Sequence, residues 1–144
     1  MVLDPKVKVG LIGSGGMARN HIRRMFVGFQ NTSITAVCEP SDKAYSETIK
    51  LFQHHEREVP PNVKNLSEFL RVYASGLDAV MIVTPHALHH KQAIACMKSG
   101  LDVFMEKPMV MNTFEAEDLI KTRDETGKLV VVAFQAFLHQ ELVA

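Results

Sequence analysis

Val7-Lys8-Val9-Gly10-Leu11-Ile12, followed by Gly13-Ser14-Gly15-Gly16-Met17-Ala18, decides the architecture of this chain. The first stretch, apolar except for Lys8, has the length and character of a buried parallel strand, and it passes directly into a G-x-G-x-x-A turn. Gly13 permits the tight turn, Gly15 lets the backbone approach a pyrophosphate, and small Ala18 lets the following helix pack close to the strand. Free N–H groups at the start of that helix then face an anion.

Working outward, Ala18, Ile22, Met25, Phe26 and Phe29 form one helical stripe, with Arg19, Asn20, Arg23 and Arg24 turned outward. Further strands are expected at residues 34–38, around Val63, and at 79–83, 103–105 and 129–134. Helical patterns lie between them. Ser41 caps a helix whose stripe is Ala44, Tyr45, Thr48, Ile49 and Phe52, and Ser67 caps a shorter one carrying Phe69, Leu70 and Tyr73. A fourth helix is expected over 86–99 with Gly100 as its stop, and a fifth begins at Asn112 or Thr113 and ends at Gly127. Residues 54–65, with two prolines and several charges, read as a surface connection. This alternation implies right-handed crossovers and a single α/β domain: a doubly wound parallel sheet of six strands, the Rossmann fold.

The 144 residues are 47% hydrophobic and 22% charged, which suits one ordinary globular domain. Sixteen Lys and Arg balance sixteen Asp and Glu, so no long-range field draws the chain to nucleic acid or an anionic membrane. No apolar run approaches the roughly 18 residues of a membrane span. Cys38 and Cys96 form no CxxC pair, which suits a reducing, cytoplasmic setting. Cys38, at a strand end, reads as a small buried hydrophobe rather than a reactive thiol.

Glu39 follows the second strand. A carboxylate there accepts the adenosine ribose hydroxyls and repels a 2′-phosphate, which favours NAD over NADP. Ser41 and Lys43 stand close enough to accommodate a phosphate if Glu39 swings aside; their ordinary readings are a helix cap and a solvated charge. After the fourth strand comes Thr84-Pro85-His86-Ala87-Leu88-His89-His90. Three histidines invite a metal reading, but on a helix His86 and His90 share a face while His89 points elsewhere. No Cys or carboxylate lies nearby in sequence, so no metal site is assigned. His54-His55 reads as an exposed pair. After the fifth strand, Glu106-Lys107-Pro108 puts two opposite charges at a strand end, as a ligand site or as a simple ion pair closing a loop.

Gly13-Ser14-Gly15-Gly16-Met17-Ala18 with His21, Thr84-Pro85-x-x-x-His89, Glu106-Lys107-Pro108 and Val130-Val131-Val132-Ala133-Phe134-Gln135 together resemble the N-terminal half of the glucose-fructose oxidoreductase, inositol dehydrogenase and rhizopine-catabolism (Gfo/Idh/MocA) family. The resemblance runs from about Lys6 to Gln135, and its specificity comes from the order and spacing of the four motifs. It implies that Ser14, Gly16 and Met17 contact the pyrophosphate, Glu39 the adenine ribose, and Thr84, Pro85 and His89 the nicotinamide side. Glu106 and Lys107 then border the nicotinamide ribose, Lys107 reaches the substrate oxygen as the catalytic residue, and Pro108 follows a cis bond. His21 also matches the family; with no partner identifiable in sequence, it reads as packing or helix-orienting rather than catalytic.

Family members continue into an α/β substrate domain, whereas here residues 136–144 correspond to the start of a linker. Residues 1–135 are therefore read as the dinucleotide-binding domain of an oxidoreductase that moves a hydride between a nicotinamide cofactor and a sugar, polyol or related alcohol. Alone it is expected to be incomplete and inactive, with an open sheet face that favours self-association, possible homo-oligomers included. His139 is at most a replacement acid/base. The competing class is a non-enzymatic nucleotide-responsive sensor, which keeps Gly13, Gly15 and Glu39 and does not need Lys107.

Overall fold

The computed structural model describes residues 6–134. Six strands, β1 (Val7–Ile12), β2 (Thr32–Cys38), β3 (Asn62–Val63), β4 (Ala79–Ile82), β5 (Asp102–Glu106) and β6 (Val130–Ala133), form one sheet in the order β3-β2-β1-β4-β5-β6. Every pairing is parallel. The order reverses beside β1, where the chain returns from β3 to start the other half at β4, and such a switch opens a crevice beyond the carboxyl ends of the strands. Joining the strands are α1 (Gly16–Gly28), α2 (Asp42–His54), α3 (Leu66–Tyr73), α4 (His89–Lys98) and α5 (Thr113–Thr126).

Alternate residues of each strand face opposite layers. On one face Cys38, Ile12, Ile82 and Met105 are buried with Phe69 of α3, Ala93 and Met97 of α4 and Leu119 of α5. On the other, Leu11 and Val37 are buried against Ala18 and Ile22 of α1 and Leu51 and Phe52 of α2. That second face is covered unevenly. Paired in register across it are Val37, Leu11, Met81, Phe104 and Val131; the first two are fully buried, Met81 is 8% exposed and Val131 53%. Among the described residues the exposed part of this face is therefore the β6 edge, since α1 still reaches β5 through His21 and Phe104.

The helix ends follow the expected chemistry with two shifts. Ser41 accepts from the Ala44 amide, Asn112 from the Glu115 amide, and Gly127 closes α5 in the left-handed region. The cap of α3, however, is Asn65 rather than Ser67: its side chain accepts from the Glu68 amide, and the helix starts at Leu66. The fourth helix begins later than expected, because His86–Leu88 form a 3₁₀ turn before α4 takes over at His89. Phe29, expected on the α1 stripe, is 59% exposed past the helix end, and Leu51 of α2 is buried in its own right. His139 and the linker assigned to 136–144 lie outside the described residues.

Gly10 is required by packing. A Cβ there would stand 2.6 Å from Cζ of Phe69 and 2.8 Å from Cδ1 of Leu77, so α3 sits against the bare backbone of β1. Gly10→Ala is expected to destabilise the chain by about 1–3 kcal/mol in urea denaturation. Gly28→Ala, where a Cβ meets nothing within 4 Å, should cost nothing.

Candidate functional site

At the carboxyl end of β1, Gly13 takes φ +85° and its N–H donates to the Cys38 carbonyl at 2.9 Å. A side chain is excluded there twice over, by the backbone conformation and by the Val83 carbonyl 2.6 Å from where a Cβ would sit. Ser14 follows, fully buried, with each of its polar groups in use. Its N–H and hydroxyl donate to Oε2 of Glu39 at 2.7 and 3.3 Å, while its carbonyl accepts from Arg19 and Thr48. Glu39 is itself buried, and its other carboxylate oxygen accepts the Ser41 amide at 2.8 Å. Ser14 is therefore the anchor that holds the turn to β2, and the backbone donors available to a ligand belong to the residues after it.

Those residues are Gly15, Gly16 and Met17. No side chain caps the start of α1, so its first-turn amides keep their donors for something outside the helix. Gly15 has φ −67° and ψ −170°, ordinary extended backbone, and a Cβ on it or on Gly16 would meet no protein atom within 4 Å. Neither conformation nor packing demands glycine at these two positions. A ligand lying on the backbone would, and a pyrophosphate at an uncapped helix start would fit the donor set. Ala18 is fully buried beneath the turn, as its small size predicts.

On the far side of β1, the loop after β4 and the turn after β5 are joined by His89. It is fully buried, with Nδ1 2.8 Å from the Pro108 carbonyl and Nε2 3.0 Å from the Thr84 carbonyl. A neutral ring has one N–H and satisfies only one of the two. His89 thus stands behind the cleft wall, while Thr84, bonded to Gln92 at 2.5 Å, and exposed Pro85 lie nearer its surface. His86 packs its ring on His89, and His90 bonds Asp118 of α5 at 2.7 Å. Each member of the histidine cluster has its own neighbour, and no group of three metal-ligating side chains occurs among the described residues.

The Glu106-Lys107-Pro108 turn is met by a residue that sequence reasoning undervalued, His21 of α1. Glu106 does not pair with the Lys107 ammonium. Its Oε1 lies 2.5 Å from Nε2 of His21, its Oε2 accepts the Lys107 backbone N–H at 3.2 Å, and the Lys107–Pro108 bond is cis. Lys107 is exposed, and among the described residues its ammonium pairs with no carboxylate. The signal for His21 was its spacing: four residues beyond Met17, it projects from the same helix that presents the glycine turn.

Other reactive-looking groups are quiet. Burial pushes the Cys38 thiol up to about 11, with Glu39 adding to it, and the Cys96 thiol up to about 12. A cavity of about 420 Å³ among Phe26, Phe29, Ile34 and Arg57 opens at the amino edge of the sheet, away from the glycine turn. No helix among the described residues is long and apolar enough to cross a membrane.

A family model described as an oxidoreductase family with an NAD-binding Rossmann fold matches residues 7–134. A glycosyl hydrolase family 109 protein of Shewanella amazonensis is 35% identical over 85% of this chain and 27% of its own length. An inositol 2-dehydrogenase of Rhodococcus erythropolis is 28% identical over 94% of this chain and 37% of its own. Among solved structures, the WlbA dehydrogenase from Bordetella pertussis in complex with NADH and UDP-GlcNAcA superposes with a TM-score of 0.78 and 26% identity, over 92% of this chain and 36% of that one. The chain therefore spans well under half the length of these relatives.

Gly15→Ala should change thermal unfolding little, since a Cβ there meets no protein atom within 4 Å, yet weaken dinucleotide binding by at least about tenfold in a calorimetric titration. Gly13→Ala should instead lower the unfolding temperature. At pH 8 both cysteines are expected to stay protonated and to resist a thiol reagent until denaturant is added.

Proposed function

The chain belongs to the Gfo/Idh/MocA oxidoreductase family, and on that footing we propose that it forms the cofactor-holding half of an NAD-dependent dehydrogenase acting on a sugar, polyol or related alcohol. The observation that carries this reading is the bare backbone at Gly15 and Gly16 beside an uncapped helix, a cradle that the protein itself does not fill. Gly15, Gly16 and Met17 would hold the pyrophosphate, with Gly13, Ser14 and Ala18 shaping the turn behind it. A carboxylate has about four lone-pair sites; three donors reach Glu39, so Oε1 keeps room for a ribose hydroxyl while its charge disfavours a 2′-phosphate.

With the pyrophosphate over α1 and the adenosine toward β2, the nicotinamide half falls toward β4 and β5. Thr84, Pro85, Glu106 and Lys107 would line that end, with His89 supporting them from behind. When bound, the nicotinamide ring supplies the hydride acceptor or donor. Lys107 would donate to the substrate oxygen and stabilise alkoxide charge there, which a low-dielectric site makes worth more than in water. That its ammonium pairs with no carboxylate among the described residues suits that task. The names of the inositol dehydrogenase and of the nucleotide-sugar complex support a hydroxyl-rich substrate.

We assign residues 1–135 to the cofactor domain and 136–144 to the start of a linker; catalysis then needs a second domain, and a cytoplasmic setting suits the two buried thiols. The isolated chain should bind NADH at least about tenfold more tightly than NADPH and should not oxidise a panel of polyols. Failure to bind either nucleotide would overturn the cofactor assignment. In a protein that carries the following domain as well, Lys107→Ala should lower turnover by about 10²–10⁴ while NADH affinity changes little; parallel losses in both would sink the role given to Lys107.

A further inference from the structure

The contact between His21 and Glu106 joins residues 85 positions apart, from the first helix and the fifth strand, and both side chains are largely withdrawn from water, 14% and 7% exposed. The imidazole packs edge-on against Phe104 at 5.6 Å, which sets the ring plane. An ionised carboxylate only accepts, so Nε2 carries the proton that joins them. Both oxygens of Glu106 are then held, one by His21 and the other by the Lys107 amide. Beyond Lys107, the Pro108 carbonyl meets His89. The turn that carries Lys107 thus has an imidazole on each side, His21 from α1 and His89 from α4.

His21 matters most because of where α1 begins. One turn upstream lies Met17, with Gly16 and the N-cap Gly15 just before it, so a single rigid helix carries both the phosphate cradle and the donor that holds Glu106. We infer that His21 is a positioning residue that couples the two halves of the dinucleotide cleft: through Glu106 it fixes the Glu106-Lys107-Pro108 turn at a set distance from the pyrophosphate site on its own helix. The inference rests on the dinucleotide reading of the cleft. It distinguishes His21 from a residue that merely fills space, because its loss should be felt at the nicotinamide end of the ligand and not at the adenosine end.

The test compares two ligands on the purified chain, NADH and ADP-ribose, the second lacking the nicotinamide. His21→Leu, similar in bulk but without the donor, is expected to weaken NADH by about five- to fiftyfold, within the usual range of coupling between sites. ADP-ribose affinity should stay within about twofold on the same scale. His21→Gln, whose amide can place a donor near the position of Nε2, should restore most of the NADH affinity. If the Leu chain does not fold, His21→Ser, which leaves room for water beside the carboxylate, carries the same comparison. Equal weakening of both ligands, no weakening of either, or a Gln chain no better than Leu would overturn the inference. Absence of NADH binding by the native chain would instead overturn the dinucleotide reading, and the inference with it.

Discussion

A carboxylate buried at the end of a strand is tolerable only when donors surround it, and the placement of Glu39 organises the site around that requirement. It draws in the Ser14 amide and hydroxyl from the turn after β1 and the Ser41 amide from the start of α2. Two pieces of backbone, the turn after β1 and the entry to α2, are thereby fixed to the end of β2. The direction of α1 follows, because Gly13 and Ser14 are held while the next residues enter the helix. The glycines that face outward owe their openness to that anchor behind them.

A second buried carboxylate, Glu106, performs the corresponding task on the other side of β1. Its donors are His21 from α1 and the amide of Lys107. Two acids at the ends of β2 and β5 therefore flank the glycine turn, and the first helix touches both: through Ser14 just before its start and through His21 one turn beyond Met17. The crevice expected wherever strand order reverses in a doubly wound sheet has, in this protein, walls whose charged residues are satisfied from within. Lys107 is left exposed between them, its ammonium paired with no carboxylate among the described residues.

Much of this was legible from residue order. Local chemistry reads locally: Ser41, Asn112 and Gly127 act where a cap or stop is needed, and Ala18 is buried where a small residue was called for. Errors arose where two local solutions compete. Asn65 and Ser67 are both good caps, and Asn65 wins with its side chain on the Glu68 amide. The histidines after β4 suggested one continuous helix, yet His86–Leu88 form a tighter turn that sets His89 between two carbonyls.

The sequence by itself determined the fold class, the strand count, the glycine turn and the acid after β2, because these depend on periodicity, on backbone freedom and on short spacing along the chain. Only the tertiary structure decided that Glu106 belongs to His21 rather than to Lys107, that Ser14 turns inward to Glu39, and that His89 stands behind the cleft wall. Those choices are made between strand ends far apart in sequence, where a buried charge takes whichever donor the sheet order brings within hydrogen-bonding distance. No local pattern records which donor that will be.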